Sequence, residues 1–109
     1  MKLDINKMTD STPAFEEYIE KKFSSLGRLL KGFEDKNEVE LSLDVVRATK
    51  HHIKGDEVYL AKGSVRLNKK IIYGEEYASD ARSAVDKLCD TLKVEINKYK
   101  NQLKELIKK

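Results

Sequence analysis

Few residues of this chain could carry covalent chemistry. It contains one cysteine, Cys89, and two histidines, His51 and His52. A nucleophile–base pair would have to combine the Cys89 thiol with one of the imidazoles. Cys89, however, stands beside the apolar stripe of a helical pattern, where a thiol usually packs as a small apolar side chain. The sequence also has no glycine-rich phosphate loop, Gly-x-Ser-x-Gly motif or Cys-x-x-Cys pair. We therefore expect no catalytic residues and no enzyme.

The two adjacent histidines have poor spacing for a metal site. Consecutive side chains on an extended backbone point in different directions, and no third ligand is near in sequence. Beside Lys50 and Lys54 they belong to a basic hairpin tip. That tip could contact phosphate or stack on a base, or it could be an ordinary solvated loop. We expect no metal, no cofactor and no small-molecule substrate.

Basic residues remain as the main candidates for binding. The 109 residues include 22 Lys and Arg against 19 Asp and Glu, a formal net charge of +3. Lysine on a helix usually just faces solvent. Here, however, two helices and a hairpin are all basic, and both helices on one sheet face would form one broad basic surface. Such a surface with few aromatic platforms binds RNA by backbone charge and shape, which favours structured RNA over single strands.

Ten residues are predicted to contact RNA phosphates. Each is selected by its charge and by the face on which the pattern places it. The set comprises Lys22, Arg28, Lys31, Lys50, His52, Lys54, Arg82, Lys87, Lys98 and Lys100. A membrane-surface role for the last helix is less favoured, because its polar face retains several acids and has no Trp.

The element that must position most of these residues is a long helix from Ser79 to Lys109. Its apolar residues recur every three or four positions, and it contains neither Pro nor Gly. Ser79 is the predicted N-cap. At 1.5 Å per residue the helix extends roughly 40 Å, about twice the width of a four-stranded sheet. Its final turns should therefore fray or pack on the first helix.

The first helix begins at Pro13 behind the N-cap Thr12. Its apolar face consists of Phe15, Ile19, Phe23, Leu26 and Leu30. Alternating apolar and polar residues predict four strands, with Gly63 as a bulge in the third. The strands are Lys2 to Met8, Val39 to Val45, Tyr59 to Leu67, and Ile71 to Glu76.

The order β-α-β-β-β-α predicts an α+β fold and one domain over residues 1–109. The sheet should be four-stranded and mostly antiparallel, with both helices packed on one face, as in double-stranded-RNA-binding domains. The N-terminus has no apolar signal region, and no apolar run is long enough to cross a membrane. We expect a cytoplasmic protein with no membrane partner.

Several short motifs combine with this element order. Thr12-Pro13-Ala14 opens a helix that continues Tyr18-Ile19-Glu20-Lys21-Lys22, and the Thr49–His52 hairpin is followed by Gly55. The C-terminal pattern adds Asp80, Ala84, Val85, Asp86, Asp90, Leu92, Ile96, Lys98, Tyr99 and Lys100. Together these motifs resemble the ribosome hibernation promoting factor / ribosome-associated inhibitor family, also called the sigma-54 modulation protein family. The chain looks like a short form, without the second dimerisation domain of some members.

The resemblance implies binding to the small ribosomal subunit, in the channel that tRNA and mRNA occupy. The partner would be rRNA, translation would be silenced by steric occupancy, and the isolated protein is expected to be a monomer. Of the ten predicted contacts, Lys98 and Lys100 match family motif positions. Arg82 stands where Tyr is common in the family. Basic or polar family positions are replaced by Val94, Glu95 and Asn97, so the ends of the last helix are expected to carry more of the binding.

Two alternatives remain open at the level of sequence. The chain could be a general structured-RNA-binding domain, since recognition of shape needs no base-contacting loop. It could also be a protein-interaction module in which the C-terminal helix pairs with a partner helix.

Overall fold

The computed structural model describes residues 2–8, 12–30, 39–48, 58–67 and 70–107. These residues form β1 (Lys2–Met8), α1 (Pro13–Leu29), β2 (Glu40–Ala48), β3 (Val58–Leu67), β4 (Lys70–Ala78) and α2 (Ala81–Ile107). The predicted order of helices and strands is confirmed. In the described part of the chain, no helix is long and apolar enough to span a membrane.

The strands lie in the order β1-β2-β3-β4 within one sheet. β1 pairs parallel with β2, and the other two neighbouring pairs are antiparallel. Leu41 of β2 lies opposite Val65 of β3, which lies opposite Ile72 of β4. All three are buried. Because side chains alternate between faces, this row defines a core face, and the other side is here called the open face.

β1 keeps its apolar residues on the core face through a shift in register. Ile5 lies opposite Leu43, while Lys7 lies opposite Asp44, so Asn6 is an extra residue. If strict alternation continued from Ile5 without this register shift, Lys7 would face the core and Met8 would face away from it. Because of the shift, Met8 packs against the core and Lys7 is exposed.

α1 has the predicted N-cap and the predicted apolar face. Thr12 Oγ1 accepts a hydrogen bond from the Phe15 backbone N–H at 3.1 Å, and Pro13 occupies the first helical position. Its apolar residues are buried in one cluster with those of the strands and of α2. Both helices therefore cover the same face of the sheet, as predicted.

α2 begins one residue later than the predicted cap implies, because its cap is Asp80 rather than Ser79. Asp80 Oδ1 accepts a hydrogen bond from the Ser83 backbone N–H at 2.8 Å, and Oδ2 accepts one from the Ser83 hydroxyl at 2.8 Å. These bonds favour the carboxylate, so they hold the pKa of Asp80 below its usual range. A carboxylate that accepts two hydrogen bonds from Ser83 stabilises the helix N-terminus more than the neighbouring Ser79 hydroxyl would.

α2 crosses the sheet over two glycines that face each other. Gly63 of β3 lies opposite Gly74 of β4. A Cβ at Gly63 would lie 3.0 Å from Leu88 Cδ2, and a Cβ at Gly74 would lie 3.2 Å from Leu88 Cδ1 and 3.3 Å from Thr91 Cγ2. The two glycines thus leave a shallow depression in the sheet surface, and α2 packs into it. Gly63 keeps regular pairing on both sides, so the predicted bulge there is wrong.

Gly74→Val is expected to lower the free energy of unfolding by about 1–3 kcal/mol, as overpacking of a filled core does. The added methyl groups would enter the space that Leu88 and Thr91 occupy. Urea unfolding measures the change. Gly27→Ala in α1 is the matched control, since nothing lies within 4 Å of a Cβ at Gly27. It should raise the free energy of unfolding by roughly 0.5–1 kcal/mol, and a loss of stability there would contradict this account of the two sites.

Candidate nucleic-acid interface

An open groove of about 340 Å³ runs between α1 and α2. It is lined by Tyr18, Lys21, Lys22, Ser25 and Lys93, and it is called the inter-helix groove below. Three of its five side chains carry an ammonium group. An ammonium group has three N–H donors and no acceptor, so this groove is suited to anionic oxygens such as those of phosphate.

Helical periodicity explains why these residues meet. Residues three or four apart, and seven apart, share one side of a helix. On α2 this places Arg82, Asp86, Lys93 and Lys100 along the flank that faces α1. On α1, Tyr18, Lys22 and Ser25 face α2 with the same spacing.

A cluster around Tyr18 holds two of the predicted phosphate contacts in place. The Tyr18 hydroxyl donates to Asp86 Oδ1 at 2.5 Å, and Lys22 Nζ lies 3.6 Å from the same oxygen. The guanidinium carbon of Arg82 lies 5.1 Å from the centroid of the Tyr18 ring, within the range of a cation–π contact. The structure therefore brings Lys22 and Arg82 together, as the sequence predicted for one basic surface.

Lys100 lies on the same flank, but its ammonium group is bonded to the backbone of α1. Its Nζ donates to the Leu29 carbonyl at 2.9 Å, in the last turn of α1, where carbonyls lack partners within the helix. This bond joins α2 at Lys100, about two turns before its C-terminus, to the end of α1, so the expected packing of the overhang on the first helix is confirmed at this position. Arg28 lies nearby in sequence, in the last turn of α1, and is exposed.

Lys87 and Lys98 lie on the opposite flank of α2, above β4. Lys87 Nζ donates to the Tyr77 carbonyl of β4 at 3.4 Å. Lys98 Nζ lies 3.4 Å from Glu95 Oε1, and both side chains line a cleft beside β4. The single basic surface predicted from the sequence is therefore divided between two flanks of α2, and these two lysines are not brought to the inter-helix groove.

The remaining predicted contacts lie outside the described residues. They are Lys31, Lys50, His52 and Lys54, together with the neighbouring His51. Their contacts with RNA stay predictions. Within the described residues, no group of three His, Cys, Asp or Glu side chains could hold a metal ion.

Sequence reasoning missed Lys21 and Lys93, which both line the groove. The signal for Lys93 was its position seven residues before Lys100 and eleven after Arg82, which is helical spacing. Lys93 places a basic side chain in the middle of α2, and the expected larger share of binding at the helix ends stays a prediction. Of the replaced positions, Val94 is 52% exposed and Glu95 lines the cleft beside β4, so neither interrupts the groove.

Cys89 has the packing role that its position predicted. Its side chain is fully buried, and its Sγ lies 3.8 Å from the Lys22 carbonyl oxygen. Burial raises the pKa of the thiol, since the thiolate is poorly solvated there. A neutral, enclosed thiol is no nucleophile.

The fold and the groove define a class of protein: an α+β domain in which two helices on one sheet face form a basic groove. More specifically, the chain belongs to the sigma-54 modulation protein / S30EA ribosomal protein family, whose model matches residues 5–104. The family identified from the motifs is thus confirmed, and it is a ribosome-associated one.

Solved structures share the fold. The N-terminal domain of Protein Y from Thermus thermophilus matches with a TM-score of 0.65 and 23% identity, covering 91% of this chain and 99% of that one. A ribosomal subunit interface protein from Coxiella burnetii matches with a TM-score of 0.69 and 22% identity, covering 93% and 99%. At this level of identity the similarities establish the fold. No curated protein is significantly similar in sequence.

The pKa of Tyr18 is expected to lie above the ordinary tyrosine value of about 10. Its hydrogen bond to Asp86 raises the pKa of Tyr18, with further contributions from burial and from the Asp86 charge. Because tyrosinate cannot donate, the stability from this bond is present at neutral pH and is lost as the pH rises through the raised pKa. Ring ¹³C NMR titration measures the pKa of each tyrosine.

Asp86→Ala should bring the pKa of Tyr18 back toward its ordinary value. Tyr73 is the internal control, since its own pKa is raised by a hydrogen bond to Glu75, with burial and the Glu75 charge adding to it. That pKa should not move in the variant. An unchanged Tyr18 pKa would contradict the assigned role of Asp86.

Proposed function

We propose that this protein is a ribosome hibernation factor. It binds the small ribosomal subunit in the channel of tRNA and mRNA, and it inactivates translation by occupying that channel. The proposal rests on membership of the ribosome-associated family and on one feature of the structure, the inter-helix groove with its three lysines. Residues 1–109 act as one ribosome-binding domain in the cytoplasm.

The groove engages rRNA through phosphate oxygens. Lys21, Lys22 and Lys93 neutralise backbone charge and release condensed counterions, which supplies affinity without base sequence. Tyr18, the aromatic residue of the groove, has its hydroxyl bonded to Asp86 and the Arg82 guanidinium over its ring. Stacking of bases on this ring is therefore disfavoured, and a folded RNA surface with regularly spaced phosphates is the preferred target.

Silencing by occupancy needs a stiff binding surface rather than a reactive one. The bond from Lys100 to the Leu29 carbonyl and the bond from Tyr18 to Asp86 both fix α1 against α2. The helix backbones that carry the lysines are thereby fixed before RNA arrives, so binding requires no rearrangement of one helix against the other. We propose a non-enzymatic mechanism in which the bound domain itself excludes tRNA and mRNA.

Co-sedimentation with ribosomal particles tests this function. The protein should travel with small subunits at low salt, be displaced by tRNA, and dissociate steeply as salt increases. Retention at the top of a low-salt gradient would contradict ribosome binding. Equal affinity for a plain RNA duplex and for the small subunit would favour a general structured-RNA-binding domain instead.

Neutralisation of single lysines tests the groove. Lys93→Gln should weaken binding to small subunits and lower the slope of log affinity against log salt by about 1, as expected for one lost phosphate contact. Lys98→Gln is the matched control, because it removes the same charge from the opposite flank of α2. An equal effect of both substitutions would contradict the groove as the main contact surface.

A further inference from the structure

The outer edge of β4 exposes an unusual amount of apolar surface. Within the described residues β4 pairs with β3 alone, so its other side is an edge of the sheet. Three of the large apolar side chains exposed there are Ile71 at 63%, Tyr73 at 55% and Tyr77 at 37%. Alternation places all three on the open face. Exposed edge strands with apolar side chains are templates for pairing with another strand.

We propose that β4 pairs antiparallel with β4 of a second copy, about a two-fold axis at Gly74, so that two sheets join into one. This inference is independent of the proposed function, and it departs from the monomer that was expected from the sequence. It concerns a different surface of the molecule and a protein partner rather than RNA.

The sequence of β4 is complementary to itself in this arrangement. Gly74 is the middle residue of Lys70–Ala78, so the register centred on it pairs the whole strand. In that register Ile71 lies opposite Tyr77 of the second copy, and the same contact forms twice by symmetry. An aromatic side chain opposite a β-branched one is a favourable cross-strand pair. Tyr73 lies opposite the second copy's Glu75, so in the dimer its hydroxyl can donate to that carboxylate in place of the Glu75 of its own chain.

The α2 helices support the same register. α2 runs along β4, with Lys87 near Tyr77, Thr91 beside Gly74, and Glu95 in the cleft with Ile71. The two-fold axis therefore places the small Thr91 side chains of the two copies nearest to each other. Lys87 of one copy then faces Glu95 of the other, so opposite charges meet at both ends of the helix contact.

Lys87 lies over one end of this edge in the free protein, while Glu95 and Lys98 line the cleft at the other end. The bond from Lys87 to the Tyr77 carbonyl is long, at 3.4 Å, and exposed. Exposed polar contacts of this kind contribute little to stability. Lys87 can therefore leave the carbonyl and pair across the axis with the second copy's Glu95.

Charge argues against RNA as the occupant of this edge. The Tyr73 hydroxyl donates to Glu75 Oε2 at 2.7 Å, which places a carboxylate between the two exposed tyrosines of β4. The open-face cleft beside Tyr73 is lined by both Asp44 and Lys62. Charges of both signs attract a polyanion less than the three lysines of the inter-helix groove do, whereas the pairing of Lys87 with Glu95 across the axis uses charges of both signs.

Register-specific cross-linking tests the pairing. Lys70→Cys and Ala78→Cys are made in separate chains, because the proposed register sets residue 70 opposite residue 78 of the other copy. Across the axis, residue 70 of one copy lies roughly 26 Å from residue 70 of the other, at about 3.3 Å per residue, far beyond the reach of a disulfide. The oxidised mixture should form covalent dimers, whereas each variant alone should not.

Arg66→Cys is the control for random collision, since residue 66 is exposed on β3, one strand away from the edge. Cross-linking of Lys70→Cys alone, or of Arg66→Cys, at the rate of the mixture would overturn the proposal. The native Cys89 is fully buried, so it should not form a disulfide with the introduced cysteines.

Sedimentation equilibrium tests the strength of association. A contact made by one strand and one helix of each copy is small and belongs with weak interfaces, so dimers should appear at high micromolar concentration. Ile71→Lys should raise the dissociation constant at least tenfold. Ala14→Lys, an equal charge change at an exposed position of α1, should leave it unchanged.

A protein that stays monomeric to millimolar concentration, or an Ile71→Lys variant that dimerises like the native chain, would overturn the proposal. Ile71→Lys should not alter co-sedimentation with small subunits, because the inter-helix groove lies on the other flank of α2. Failure of dimerisation and failure of ribosome binding are therefore distinguishable.

Discussion

The close approach of α2 to the sheet over Gly63 and Gly74 is the contact on which the other features depend. Because neither glycine has a Cβ, Leu88 sits against the backbone of β3 and β4. This contact fixes the rotation of α2 about its own axis. Once the rotation is fixed, the period of the helix decides that Arg82 and Lys93 face α1, while Lys87 and Lys98 face β4. A helix held farther away by larger side chains could turn and mix these two flanks.

The inter-helix groove combines attraction for an anion with internal order. Asp86 reduces the positive charge of the groove, yet it also binds the Tyr18 hydroxyl and attracts Lys22. A lysine without such a partner would lose more rotamer freedom on binding, at up to about 2 kcal/mol for a long side chain. The carboxylate therefore exchanges some electrostatic attraction for a prearranged surface. That exchange suits the proposed mode of action, in which the protein inhibits translation by staying bound.

Periodicity made most of the fold predictable. The apolar stripe of α1, the alternation of β2 and the Thr12 cap each identify their element from local sequence alone. The errors have physical causes. Ser79 and Asp80 are both good caps, and the choice between them depends on how Ser83 is placed. Gly63 resembled a bulge because a glycine needed for helix packing cannot be recognised until the helix above it is known.

The candidate site was less predictable than the fold. Charge and spacing identify lysines on an outer face of a helix, but they do not say which flank meets the neighbouring helix. Lys100 shows the difficulty, since it matches a family motif and yet bonds the carbonyl of Leu29. Lys93 shows the reverse, since its place in the groove depends on Tyr18 and Lys22 of α1, more than 60 residues away in sequence.

The two flanks of α2 differ in charge pattern, and this difference separates their uses. On the flank facing α1, basic side chains surround one acid, Asp86, which is occupied by Tyr18 and Lys22. A polyanion that approaches this flank meets the ammonium groups of the three lysines that line the inter-helix groove. On the flank facing β4, Lys98 pairs with Glu95, and Thr91 donates to Glu76 Oε1 at 2.7 Å. Alternating charges attract a surface that alternates in the opposite sense, and a two-fold copy of the same flank is such a surface. Because the rotation of α2 is fixed by two glycines, one helix separates the face proposed to bind RNA from the face proposed to bind a second copy.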